Sequence, residues 1–186
     1  MLQLKQVSKA GKKKSIFLSY NHAQKPLADS LVVDLKNENY DLWVDAEKPV
    51  RPGQNILEWM GEGIQDCDVI IILMSHKYQG SDNCRLEANL ARTQRMETGK
   101  PIMMFVLAEE GFQEDIWLKA MRGQDFYYNL TGPKYEENMP KLVTSLRHHF
   151  QPRTSLQEPP KPAIQGNCGS IYDIYLAHFT VSFMPN

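Results

Sequence analysis

Two kinds of hydrophobic pattern alternate along this chain. Short runs of apolar, β-branched and aromatic residues lie at 15–20, 40–44, 69–74, 102–107 and 126–128, each of strand length. The third, Val69-Ile70-Ile71-Ile72-Leu73-Met74, is continuous between Asp68 and Ser75, so it predicts a strand buried on both faces in the middle of a parallel sheet. Between the runs, apolar residues recur at helical spacing. Leu27, Leu31 and Leu35, with Val32 beside them and Pro26 suited to a first turn, predict a helix ending near Asn37. Asn55 can cap a second helix that carries Ile56, Met60 and Ile64, widened by Trp59 and weakened by Gly61 and Gly63. Leu86, Leu90 and Ala91 predict a third, running to about Glu97 before Gly99 and Pro101, with Glu87 in its first turn. Ile116, Trp117 and Leu118 anchor a short helix ended by Gly123, residues 126–128 form an edge strand, and Gly132-Pro133 precede a last helix bearing Met139, Leu142, Val143 and Leu146. Strand and helix alternate five times, which predicts an α/β fold with a doubly wound parallel sheet. Ligands of such sheets bind outside the carboxyl ends of the strands, where Glu87 falls.

Composition narrows the picture. At 186 residues and 42% hydrophobic, the chain can bury one core. The pattern divides it into a basic leader at 1–13, a domain at 14–150, a Pro-rich linker at 151–170 containing Pro152, Pro159, Pro160 and Pro162, and an apolar tail at 171–186. The leader reads as a solvated tail in preference to a nuclear or acidic-surface address. The final stretch is compatible with a strand that joins a partner, a piece of a larger protein or a poorly packed end, and its pattern does not choose. A formal net charge of -1 supplies no basic field for nucleic acid or an anionic membrane. Cys67, Cys84 and Cys168 are odd in number and far apart, with no metal-ligand spacing, which fits a reducing compartment. No stretch approaches the roughly 20 apolar residues of a membrane span, and the leader lacks a signal-peptide core. A cytoplasmic protein without a metal is the expectation.

The chemistry of three tenants of doubly wound sheets counts against them. A dinucleotide-binding turn needs glycines so that phosphate can approach backbone N–H groups, and Tyr20-Asn21-His22-Ala23-Gln24 has none. No Gly-x-x-x-x-Gly-Lys-Ser/Thr string occurs anywhere in the chain. A phospho-receiver would carry acids after the first strand and an aspartate closing the third, where this chain has Asn21-His22 and Ser75.

Four phrases, in order across about 15–130, resemble the Toll/interleukin receptor (TIR) domain. They are Ile16-Phe17-Leu18-Ser19-Tyr20; Trp43-Val44-Asp45-Ala46-Glu47-Lys48 followed by Pro52-Gly53; Ser75-x-x-Tyr78-x-x-Ser81-x-Asn83-Cys84-Arg85-x-Glu87; and Trp117-Leu118 through Phe126-Tyr127-Tyr128. The resemblance implies a flavodoxin-like three-layer fold with a five-stranded parallel sheet. It implies intracellular signalling, in signal transduction or innate immunity, through association with other TIR domains and with further copies of this chain. In enzymatic members it also implies cleavage of the nicotinamide–ribose bond of NAD+, which is then substrate and not cofactor. Glu87 matches the family's catalytic glutamate. Tyr20, Asn21, His22, Asp45, Lys48 and Asn83 match positions around the nucleotide, and Asp45, Glu47, Lys48, Pro52 and Gly53 belong to the interaction loop. Enzymatic relatives often carry arginine at the positions of Asn21 and His22, and some carry tryptophan at that of Asn83. The resemblance also covers adaptors without activity, and a nucleotide sensor without turnover is a third reading.

One carboxylate can suffice for this cleavage. An ordinary glycoside needs a second group to protonate its leaving oxygen, whereas nicotinamide departs from a pyridinium as a neutral ring. A lone carboxylate can hold the ribose hydroxyls and offset the growing positive charge. Against that role stands the bland reading of Glu87 as an acid favoured by a helix N-terminus. Cys84 invites a thiol nucleophile with His76 or His22 as base, but no orienting Asp or Asn is identifiable and a structural thiol is the preferred reading. Trp43, Trp59 and Trp117 read as core anchors, and His148-His149 as a solvated helix end.

Overall fold

The computed structural model describes residues 14–44 and 50–151. The leader, the segment 45–49 and everything after Gln151 lie outside the described residues, and with them the expectations for Asp45, Glu47 and Lys48, for the linker beyond Gln151 and for the tail.

Five strands, β1 (Ser15–Ser19), β2 (Asp41–Trp43), β3 (Val69–Met74), β4 (Ile102–Leu107) and β5 (Tyr127–Asn129), form one sheet in the order β2-β1-β3-β4-β5. All four pairings are parallel, with Ile16 beside Leu42, Ile71 between Leu18 and Met104, and Val106 beside Tyr128. Six helices connect the strands or follow them: α1 (Lys25–Asn37), α2 (Ile56–Asp66), α3 (His76–Gln79), α4 (Asp82–Thr98), α5 (Ile116–Arg122) and α6 (Lys134–Phe150). The predicted three-layer flavodoxin-like architecture is the one observed.

Strand alternation splits the core in two. Val69, Ile71 and Leu73 face α1 and α6, where Leu31, Leu35, Leu142 and Leu146 close over them. Ile70, Ile72 and Met74 face the other layer, against Met60 and Ile64 of α2 and Ala88 of α4. Every residue of β3 is therefore buried, which is why its sequence shows no polar alternation. Burying an Ile or Leu side chain stabilises by about 1.5–3 kcal/mol, so β3 carries a large share of the fold.

The helix starts follow their capping chemistry. Asn55 Oδ1 accepts from Leu57 N at 2.9 Å, Asp115 Oδ1 from Leu118 N at 3.1 Å, and Ser81 Oγ from Cys84 N at 3.4 Å. Gly99 ends α4 at φ +79°, a conformation in which a side chain would be strained.

Several local expectations are corrected. The polar turn after β3 is a short helix, α3, capped by Ser75 Oγ on Tyr78 N at 3.1 Å. Helix α4 begins at Asp82, so Glu87 lies in its second turn, beyond the zone where a helix N-terminus favours an acid. Cys84, Ala88 and Ala91 form the buried face of α4, with Leu86 and Leu90 packed on its margin. Ile56 is 41% exposed at the start of α2, and Gly63 is a packing position: a methyl group there would lie 2.5 Å from the Trp43 indole. Strand β5 begins at Tyr127, leaving Phe126 exposed.

Candidate active site

Strand order reverses between β1 and β3, with β2 on one side of β1 and β3 on the other. Crossovers leave in opposite directions at such a point, which opens a crevice at the carboxyl ends of the two strands. Ser19 closes β1 there and Ser75 follows β3, and both side chains are fully buried.

Helix α4 delivers Glu87 to this crevice. Ser19 Oγ donates to Glu87 Oε2 at 2.6 Å and lies 2.8 Å from the Tyr78 hydroxyl, which in turn reaches the Cys84 carbonyl at 3.3 Å. Tyr78 is completely buried, and burial, followed by the neighbouring Glu87 charge, holds its phenol well above its ordinary 10.0.

The cleft above Glu87 has a volume of about 150 Å³. Its floor and polar rim are Glu87, Ser81, Asn83, Tyr20, Asn21 and His22, and its apolar wall is Leu18 with Ile56, Trp59 and Met60 of α2. Asn21 Oδ1 accepts from Ala23 N at 3.0 Å and caps the single helical turn His22–Gln24. The Tyr20 and His22 rings meet edge to face with centroids 6.0 Å apart. Asn83, the second residue of α4, stands exposed on the rim. Among the described residues that line the cleft, Glu87 is the one carboxylate, and no lysine or arginine joins it.

Five of the seven residues expected to touch substrate thus converge, namely Glu87, Tyr20, Asn21, His22 and Asn83. Asp45 and Lys48 lie outside the described residues. Pro52 and Gly53 are exposed on the segment before α2, where Gly53 adopts φ +82° and Gln54 N donates back to Arg51 O at 3.0 Å. Trp59 was expected only as a core anchor. It is that, packing on Phe17 and Trp43 at 5.9 Å each, but it also walls the cleft. Its place on the margin of the α2 stripe was the available signal. Ser19 had no signal of its own, because a serine closing a strand reads as a boundary.

Cys84 lines the cleft as an inert thiol. It is 4% exposed, and burial pushes its pKa up to about 11 despite the hydrogen bonding of Ser81. His76 is engaged elsewhere, with Nδ1 2.8 Å from Glu109 Oε1. Trp117 stacks on Tyr78 at 6.4 Å and donates Nε1–H to Gln79 O at 3.1 Å, an anchor as expected. A larger hollow of about 650 Å³ lies between α2 and the far half of α4, around Gly61, Gln65, Thr93 and Gln94. Neither Glu87 nor any strand residue lines it, so the smaller cleft is the candidate site. No described helix is long and apolar enough to cross a membrane.

A family model for the TIR domain matches residues 16–143. The chain belongs to the TIR domain family. This TIR domain is accordingly a signalling module of a family that acts through contacts between TIR domains. Its fold is similar to the TIR domain of the Toll-related receptor TRR-2 from Hydra magnipapillata, at TM-score 0.58 and 13% identity over 71% of this chain and 97% of that one. It is also similar to the TIR domains of the activated Roq1 resistosome that recognises the pathogen effector XopQ, at TM-score 0.53 and 14% identity over 73% and 98%. A prokaryotic SEFIR domain aligns at TM-score 0.50 and 17% identity, over 75% of this chain and all of the other. No curated protein matches the chain in sequence.

Proposed function

We propose that this TIR domain cleaves the nicotinamide–ribose bond of NAD+, with Glu87 as the catalytic carboxylate. The observation that carries the reading is the Glu87 carboxylate at the sheet's reversal point, held by Ser19 at 2.6 Å and lining the cleft there. Such a site favours a cationic pyridinium ring and, more strongly, the oxocarbenium-like charge that grows on the ribose as the ring leaves. Trp59 and Met60 supply an apolar wall for the ring. Tyr20, Asn21, His22 and Asn83 offer rim contacts to the remainder of the nucleotide, and by resemblance Asp45 and Lys48 join them. NAD+ is the substrate, and this chemistry calls for no cofactor.

Nicotinamide release by purified protein tests the reading, with wild type beside Glu87→Ala across a concentration series that includes a crowding agent. The expected outcome is release by wild type and a loss of about a hundred- to a thousandfold in the variant, the scale of removing one preorganised electrostatic group. An assembled, folded wild type that releases nothing refutes it.

A non-enzymatic adaptor in innate immune or related signalling is the second reading. It is favoured by the size of the cleft, below the roughly 300–1,000 Å³ of ordinary ligand sites, and by the engagement of the Asn21 side chain in a helix cap. Its signature is TIR–TIR association that survives Glu87→Ala while NAD+ stays intact.

A further inference from the structure

Beside Glu87 lie two polar groups that the cleavage chemistry leaves unused. Ser19 and Tyr78 come from different elements, the last residue of β1 and the third residue of α3, and both are completely buried. Burying a hydroxyl is costly unless it is hydrogen-bonded, so a phenol and a serine placed in contact within an apolar layer call for a reason. Their connectivity supplies one.

We infer that Ser19 and Tyr78 are positioning residues that fix the Glu87 carboxylate for catalysis through a directed chain of hydrogen bonds, from the Tyr78 hydroxyl to Ser19 Oγ to Glu87 Oε2. This rests on Glu87 being the catalytic carboxylate. The direction follows from proton counting. Ser19 has one hydroxyl hydrogen, and the anionic oxygen at 2.6 Å is its strongest acceptor. With that hydrogen committed, the phenol must donate across the 2.8 Å contact to Ser19, its one hydrogen favouring this shorter contact over the Cys84 carbonyl at 3.3 Å. The phenol is built to keep its proton, because burial and the Glu87 charge both oppose its ionisation.

The chain is held from both ends. Tyr78 N–H donates to the Ser75 cap at 3.1 Å, and its ring stacks on Trp117, itself tied to Gln79 O at 3.1 Å. The serine is fixed by β1, between β2 and β3. A glutamate side chain has several rotamers open to it, and a donor locked in the sheet narrows that choice before substrate arrives. Hydrogen bonds in series also polarise one another, so the phenol strengthens the serine's grip without touching the carboxylate.

Nicotinamide-release kinetics on wild type, Ser19→Ala, Ser19→Cys, Tyr78→Phe and the double variant Ser19→Ala/Tyr78→Phe test this, each checked by melting temperature. Ser19→Ala leaves the phenol its second acceptor at the Cys84 carbonyl, so the fold keeps that partner. The expected result is a loss of about ten- to a hundredfold in kcat with KM little changed, the pattern of an interaction that matters in the transition state. Ser19→Cys keeps the size but not the donor strength and should fall with the alanine. Tyr78→Phe should cost less, about three- to tenfold, and nothing further once Ser19 is alanine, because the phenol acts only through the serine. Losses that multiply in the double variant, or an unchanged kcat in Ser19→Ala beside an active wild type, overturn the inference and leave the NAD+ cleavage reading standing. An inactive wild type overturns both.

Discussion

At the scale of single residues, burial decides what an ionisable group can do, and the two described thiols make this measurable. Cys67 is 3% exposed and donates to the Ile64 carbonyl at 3.3 Å. Burial raises its pKa from the ordinary 9.0 to about 12, and Cys84 rises to about 11 for the same first cause. A thiol harder to ionise in the folded chain than in the unfolded one contributes stability that is whole below pH 9 and lost as pH climbs toward the folded value. The unfolded chain then binds fewer protons than the native one, so unfolding free energy falls by about 1.4 kcal/mol per pH unit for one such group. Denaturant unfolding at pH 8 and pH 10.5 should therefore show a steeper alkaline loss for wild type than for Cys67→Val. Equal losses would show that the thiol carries none of it. The sequence already favoured a structural Cys84, and its resemblance to the family grouped Glu87, Tyr20, Asn21, His22 and Asn83 around one pocket, which the ends of β1 and β3 bring together. It could not reveal Ser19 as the glutamate's partner, since that hydrogen bond joins residues 68 positions apart.

At the scale of elements, two glycines in one helix have opposite meanings. Gly61 and Gly63 both looked like weak points of α2, as helix propensity alone says. Nothing lies within 4 Å of a methyl group added at Gly61, while one added at Gly63 would sit 2.5–2.6 Å from three atoms of the Trp43 indole, which packs on Trp59 in the cleft wall. Thermal unfolding should separate them. Gly61→Ala should stabilise by up to about 1 kcal/mol, the propensity difference, whereas Gly63→Ala should destabilise by about 1–3 kcal/mol through overpacking. If both variants gained stability, the indole would have room to move and the close packing would be of no consequence. The same contrast explains which elements were legible. Strands β3 and β4 and helices α1 and α6 bury wide apolar faces, and these print a period on the sequence. Helix α3 spans only His76–Gln79, too short for any period, and exists because Ser75 caps it and Tyr78 plugs into the core. The buried face of α4 is made of Cys84, Ala88 and Ala91, small residues that let the helix lie close to the sheet, and of the expected stripe Ala91 lies on that face while the larger Leu86 and Leu90 pack at its margin.

At the scale of the whole molecule, the order β2-β1-β3-β4-β5 opens the candidate cleft at the reversal point between β1 and β3. A cleft of about 150 Å³ can enclose a ring but not a dinucleotide, since ordinary ligand sites of roughly 300–1,000 Å³ bury most of a drug-sized molecule. On the proposed NAD+ cleavage, resemblance to the family points to a neighbouring copy, met through the interaction loop, as the source of further surface. Supply from a neighbour couples activity to association. Nicotinamide released per unit of protein should then rise with protein concentration and with crowding, and follow the oligomer fraction measured by light scattering on the same samples. Gly53→Val should lower both together, because φ +82° strains any residue with a branched side chain on the loop expected to make the contact. A specific activity independent of concentration would assign the missing surface to the chain's own loop, leaving association to serve signalling alone.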